Sequence, residues 1–269
     1  MSDGDRGGLE RQVVAAALAD FHDRHPDFHL HPVTALICAY DEAGTIGDVL
    51  KRMPAAALGL PVSVLVVVDG GSDGTDRIAV ASGALTVVFE RNLGHGVALR
   101  VGYQLCLEGG TEYVVTLDAD GQNDPMELPT LLEPLVDGRA DFVVASRRLG
   151  VDQTTDRVRR MGVVVFAWLI NRLTGARLTD TSNGYRALRA TLLADVVARL
   201  EQPQYQTAEL LITALSRGWR VAECPTVWRP RAAGGSKKGS NLRFGLRYAQ
   251  VIIRTWARER RAAQARAAS

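Results

Sequence analysis

Along the first 145 residues, short and nearly unbroken apolar runs alternate with stretches whose apolar positions recur every three or four residues. The runs 33–39 (VTALICA), 62–68 (VSVLVVV), 85–89, 113–117 and 141–145 are rich in β-branched residues and read as buried strands. Unbroken apolarity, in place of strict alternation, is what a parallel sheet covered on both faces requires. Between the runs, residues 45–53, 75–82, 97–107 and 125–136 carry helical spacing, and Pro125 suits a first helical turn with Asp124 as its N-cap. The β-α-β-α rhythm predicts a doubly wound α/β domain, in which ligands bind beyond the carboxyl ends of the strands. The polar signals fall there: Tyr40-Asp41-Glu42 after the first run, Asp69 to Gly74 after the second, and Asp118 to Gln122 after the fourth.

The second half has a different texture. Residues 157–174 read as a helix with an apolar middle, 178–189 (LTDTSNGYRALR) as a polar, turn-rich segment, and 206–217 as a helix. Residues 219–228 read as extended, 229–241 as a flexible basic loop, and 242–262 as a final helix. On that last helix Arg243, Arg247, Arg254, Arg258 and Arg261 share one narrow stripe, and Leu242, Phe244, Leu246, Ile252, Ile253 and Trp256 spread over the rest. A further amphipathic helix is expected at 9–23. The organisation expected is an N-terminal helical extension (1–31), a central domain (32–240) and a basic amphipathic C-terminal helix with its tail (241–269).

Composition narrows the class. The chain has 269 residues, 46% of them apolar, enough for a substantial globular core. No stretch approaches the roughly 20 apolar residues of a membrane span. The polar, acidic start (MSDGDRGGLERQ) predicts no secretory leader. Cys38, Cys106 and Cys224 stand far apart in apolar settings and predict reduced core residues. The expected location is the cytoplasm, with peripheral contact at the cytoplasmic membrane face as the extension of that reading. The net charge of +2 conceals an asymmetry: from Arg217 onward there are 13 basic and two acidic residues, against 19 and 28 before it. A basic end suggests an anionic partner.

Asp118 and Asp120 stand two apart where a buried run ends, with Gln122 close behind. Hard oxygen donors at this density suit Mg2+ or Mn2+, which leaves coordination positions for water and substrate phosphate. A solvated loop capping the next helix is the plainer reading, preferred for Asp124 and weaker for Asp118, because an unpaired charge ending a buried strand is costly. Residues 69–75 (DGGSDGT) permit tight turns, and Asp69 can accept hydrogen bonds from a base or ribose. The segment matches neither GxxxxGK[ST] nor GxGxxG, which argues against P-loop NTPases and Rossmann dehydrogenases.

In order, AYDEAGTI, VVVDGGSDGT, RNLGHGVALRVG, VVTLDADGQNDP, VASR, DTSNGYRA and PRAAGGSKKG resemble the inverting family-2 glycosyltransferases, dolichol-phosphate mannose synthases and bacterial polyprenyl-phosphate sugar transferases in particular. The resemblance runs from about residue 32 to 240. It implies a GT-A fold, a nucleotide diphosphate sugar donor and Mg2+ or Mn2+. It assigns Tyr40, Glu42, Asp69, Asp118 and Asp120 to the nucleotide sugar, and Asp118, Asp120 and Gln122 to the metal. Arg147, Arg160, Arg186, Arg231, Ser236 and Lys237 would meet phosphate, and Asp120, Arg147 and Glu209 would be catalytic. Three departures stand out: DGGSDGT for the usual DDGSxDGT, Asp41-Glu42 for Asn-Glu, and Val163 near the place of an expected serine. The implied reaction moves a hexose from GDP-mannose or a UDP-hexose to a lipid phosphate.

Other readings remain at this point. A soluble glycosyltransferase could act on a hydroxyl of a small molecule, peptide or natural product, with Glu209 or Asp180 as base. A nucleotidyltransferase would carry a Gly-rich basic loop after the first strand, where this chain has AYDEAGTI. A nucleic-acid module is disfavoured, because the positive charge is confined to one end and no such motif is present.

Overall fold

The computed structural model describes residues 3–231 and 241–268. Helix α1 (Asp3–Arg24) precedes strand β1 (Val33–Ala39), helix α2 (Ile46–Lys51), a two-residue strand β2 (Ala56–Ala57) and β3 (Leu60–Val68). Then follow α3 (Thr75–Ala81), β4 (Leu85–Val88), α4 (His95–Glu108), β5 (Tyr113–Asp118), α5 (Leu128–Val136) and β6 (Phe142–Asp152). The chain continues through α6 (Arg157–Thr174), β7 (Arg186–Arg189), α7 (Ala190–Val196), α8 (Gln206–Ser216), β8 (Val221–Trp228) and α9 (Asn241–Ala268).

One sheet runs β2-β3-β1-β5-β7-β6-β8, with β4 also pairing β3. Strand β1 lies at its centre, parallel to β3 and β5, and all seven of its residues are buried. The two faces separate by alternation. Leu36 and Cys38 join Leu65, Val87, Leu105 and Leu211 in the core beneath α4 and α8, whereas Ala35 and Ile37 join Val49, Val66, Val115 and Leu131 beneath α2 and α5. The expected doubly wound, mostly parallel sheet is therefore present, and unbroken apolar runs are its cause.

The segment 178–189 departs from its turn-rich reading. It ends in β7, which inserts antiparallel between β5 and β6. The sequence RALR looks exposed, yet Arg186 is 1% exposed, and its guanidinium donates to the carbonyls of Asn183, Thr181 and Thr207. A buried cation spent on backbone oxygens defeats a pattern argument based on polarity. Strand β6 also outruns the expected 141–145, its outer half pairing β8 across an irregularity between Ser146 and Val151.

Both ends of the chain pack on this body. From α1, Val13, Ala17 and Phe21 are buried, and Glu10 pairs with Arg100 of α4 at 2.6 Å. From α9, Tyr248, Val251 and Ile252 are buried, with the Tyr248 ring 4.6 Å from that of Phe166 on α6. The arginine stripe is not uniformly solvated: Arg258 turns inward to Glu209 at 3.0 Å. The apolar arc of α9 is wider than the body covers, so Leu246 and Ile253 stay exposed. No helix among the described residues is long and apolar enough to cross a membrane. The three cysteines are free and buried, as their contexts predict.

Candidate active site

Parallel strands deliver their carboxyl ends to one edge, and the chain's polar loops gather there. The loop after β1 interlocks with the loop after β3. The Glu42 amide donates to Thr75 Oγ1 at 2.8 Å, and the Ala43 amide to Asp73 Oδ2 at 2.9 Å. Asp41 takes a left-handed conformation (φ 49°) and accepts from the Ser72 amide at 3.2 Å. A Cβ on residue 71 would lie 2.5 Å from Asp41 Oδ1, a contact no real side chain tolerates. Gly71 thus leaves open the space that the Asp41 carboxylate fills. Tyr40, 38% exposed, flanks this pair of loops.

Asp69, at the end of β3, is 3% exposed and accepts from the amides of Leu93 at 2.7 Å and Gly94 at 2.9 Å. Its carboxylate therefore shapes the loop that opens α4. Burial pushes its pKa up to about 6, and the two amide bonds only partly offset that.

Asp118 closes β5, with its carboxylate against the backbone of Gly184, where a Cβ would stand 3.3 Å from both oxygens. Among the described residues nothing bonds to that carboxylate. Asp120, 4% exposed, accepts from the Gln122 amide at 3.0 Å and pairs with Arg231 at 2.8 Å. Arg231 also reaches Glu42 at 3.2 Å, bridging the β1 loop and the β5 tip. Burial, then the charge of Asp118, raises Asp120 to about pKa 6 against the pull of Gln122 and Arg231. Gln122 gives its side-chain NH2 to the carbonyl of Arg229 at 3.0 Å, which ties the chain after β8 to this tip. Asp124 caps the following turn through the Met126 amide and pairs with Arg52 at 2.6 Å and Arg229 at 2.8 Å.

One partnerless carboxylate beside a second suits a hard divalent ion that completes its shell with water and phosphate oxygens. Among the described residues no group of three or more His, Cys, Asp or Glu could hold a metal unaided.

Cations line the other side. Arg147 forks onto Asp180 at 2.6 and 2.8 Å, reaches Ser182 at 2.7 Å and stacks on Trp228 at 5.0 Å. Arg159 stacks on the same ring at 5.2 Å. Burial first, then repulsion from Arg147, lowers the Arg159 pKa, while Asp118 and Asp120 act in the opposite sense, which places it in the field of the acidic tip. No carboxylate among the described residues pairs with it.

Not every residue implied by the resemblance is gathered at this edge. Arg160 is spent on Asp152 and on the carbonyls of Asp152 and Thr154. Arg186 lines a small cavity with Asp118 and Gly184, but its guanidinium is spent on carbonyls, as described above. Glu209, fully buried, accepts from the amides of Glu201 and Gln202 and from Arg258. Ser236 and Lys237 lie outside the described residues.

Arg159 and Trp228 escaped the sequence reading. The available signal was Asp156, which caps α6 by accepting from the Arg159 amide at 2.9 Å. Successive helical residues point about 100° apart, so only one of two adjacent arginines can face the site.

The raised acids give a pH prediction. Between pH 4 and pH 6 the folded protein keeps protons on Asp69 and Asp120 that the unfolded chain, at 3.8, has released. Stability then falls as pH rises through that window, by up to about 3 kcal/mol per group, and levels off above it. Melting in chelator should occur at a lower temperature at pH 7 than at pH 5; a higher melting temperature at pH 7 contradicts the assignment.

Comparison with known proteins identifies the family. The profile of glycosyl transferase family 2 matches residues 34–197. A dolichyl-phosphate hexose transferase of Haloferax volcanii is 33% identical over 225 residues, 80% of this chain and 94% of that protein. A polyprenol monophosphomannose synthase of Mycolicibacterium smegmatis is 32% identical over 222 residues, 78% of this chain and 83% of the other. The fold is shared with Mycobacterium tuberculosis glucosyl-3-phosphoglycerate synthase, crystallised with Mg2+ and uridine diphosphate. The TM-score is 0.65, with 18% identity, over 89% of this chain and 83% of that one. The chain is a glycosyltransferase of the GT-A type and belongs to glycosyl transferase family 2.

Proposed function

We propose that this enzyme transfers a hexose from a nucleotide diphosphate sugar to a polyprenyl phosphate, with inversion at the anomeric carbon and with Mg2+ or Mn2+ bound. The names of the relatives support the acceptor class. The observation that carries the reading is the state of the two carboxylates that the sequence offers as a base. A hydroxyl acceptor needs a general base, and the two candidates are both fully buried and bound to arginine: Glu209 to Arg258, and Asp180 to Arg147. A phosphate is already a nucleophile at neutral pH and needs cations to place it. Arg159, held against Trp228 beside the acidic tip, is the cation we assign to it.

Asp118 and Asp120 would hold the divalent ion, which supplies charge neutralisation on the departing diphosphate when bound. Arg231, which pairs with Asp120 and Glu42, would be the cation placed to meet phosphate oxygen once those carboxylates held the ion and the nucleoside. The Asp41–Gly71 interlock and the Asp69-shaped loop bound the nucleoside. Catalysis on this account is positioning and electrostatics, with no proton to remove.

Helix α6 exposes Val158, Met161, Val165 and Trp168, and α9 exposes Leu246 and Ile253. Apolar side chains on two arginine-rich helices that pack together suit the surface of an anionic leaflet, where the lipid acceptor resides. The experiment is a thermal-shift panel of GDP and UDP with and without Mn2+. Metal-dependent stabilisation by one of the two is expected, by about 3 kcal/mol at a hundredfold excess over Kd. Identical melting in every well contradicts the reading.

A further inference from the structure

The turn formed by Glu201 to Tyr205 (EQPQY) joins three parts of the fold that are far apart in sequence. From α8, Glu209 holds it by accepting from the amides of Glu201 at 3.1 Å and Gln202 at 3.0 Å. From α4, Arg100 donates to the Gln202 carbonyl at 3.2 Å while pairing with Glu10 of α1. From α9, Arg258 binds Glu209 at 3.0 Å and Glu201 at 3.3 Å. Tyr205 completes the turn in a left-handed conformation, φ 62°.

The other side of this turn presses on the loop that Asp69 organises. The Gly96 amide donates to the Pro203 carbonyl at 2.9 Å, and Gln206 Nε2 donates back to the Gly96 carbonyl at 2.9 Å. A Cβ on residue 96 would stand 2.1 Å from the Gln202 carbonyl oxygen, so glycine is required for this approach. Three and two residues upstream, the Leu93 and Gly94 amides hold Asp69.

We propose that this turn is the positioning element of the donor pocket, and that Arg258 of α9 acts through it as a positioning residue for nucleotide binding. The inference rests on the reading that Asp69 and the 93–96 loop bound the nucleoside. Glu209 is fully buried, and Arg258 is the cation that pairs with its carboxyl group. Removing Arg258 leaves the carboxylate compensated by amides alone and relaxes the turn. The loop that holds Asp69 then loses its backing, although no residue touching the donor has changed. Glu209 thus has a task other than that of a base, and α9 becomes part of the donor site without reaching it.

The test uses the full chain with Arg258→Met, the rescue variant Arg258→Lys, and Gln206→Leu. The last cuts the turn from Gly96 without touching α9, and it removes an Oε1 that is buried without a partner, so the fold should tolerate it. Hydrogen exchange of the amides of residues 93–97 and titration with GDP and UDP in the presence of Mn2+ are the readouts. Arg258→Met and Gln206→Leu should each speed exchange and weaken nucleotide binding by about tenfold. The donor KM should rise with kcat nearly unchanged, and Arg258→Lys should recover most of the loss. Folded variants with wild-type exchange and wild-type affinity overturn the proposal. A wild-type protein that binds neither nucleotide instead overturns the donor reading, and the exchange comparison alone then decides the coupling.

Discussion

Replacing Asp120 with asparagine should lower sugar transfer by on the order of a thousandfold while leaving the melting temperature unchanged or higher. The two halves of that result have one cause. Asp120 is almost fully buried beside Asp118, and its pKa is raised to about 6. Keeping it ionised at pH 7 costs about 3 kcal/mol. Asparagine keeps the shape and can still accept from the Gln122 amide, but it carries no charge for a metal. Loss of the Arg231 pair partly offsets the relief. Single-turnover transfer and a melt of the same preparation check this. Transfer near the wild-type rate would show that Asp120 holds nothing the reaction needs.

The second large effect is structural. Asp180 is fully buried and meets Arg147 through two charge-assisted hydrogen bonds, with Ser182 accepting a third from the guanidinium. Asp180→Ala strands the Arg147 cation in the interior, a change that typically costs about 3–5 kcal/mol. For a chain of this size the melting temperature should fall by roughly 10 °C. Replacing both residues with apolar ones should recover most of that stability, because the penalty arises from the unpaired charge. Transfer should remain impaired in the double variant, since the stack of Arg147, Trp228 and Arg159 is broken. A single variant that melts like the wild type would mean that the pair contributes little.

These two sites differ in how far the sequence disclosed them. Strands β1 and β5 were legible because each is buried along nearly all its length and reads as an unbroken apolar run, and β3 and β4 through apolar runs that are buried in part. Their polar tips were legible for the same reason: carboxylates that follow a buried run have few explanations. Strand β7 was not, because its arginines spend their charge on carbonyls of Asn183, Thr181, Thr207 and Leu135, contacts that no local pattern encodes. The split between Arg159 and Arg160 depends on how α6 sits against β8, a tertiary fact. Glu209 was visible as an acid near the expected place. Its partner Arg258 lies 49 residues further on, which only the packing of α9 reveals.

In the proposed reaction a phosphate takes the sugar without a general base. The direct measurement incubates the purified enzyme and Mn2+ with polyprenyl phosphate and, in separate reactions, radiolabelled GDP-mannose and UDP-glucose, followed by partition between water and organic solvent. Label is expected in the organic phase with one donor, abolished by chelator and by Asp120→Asn, and sharply reduced by Arg159→Ala. Label that stays wholly in the aqueous phase with both donors, while a hydroxyl acceptor is glycosylated, would contradict it.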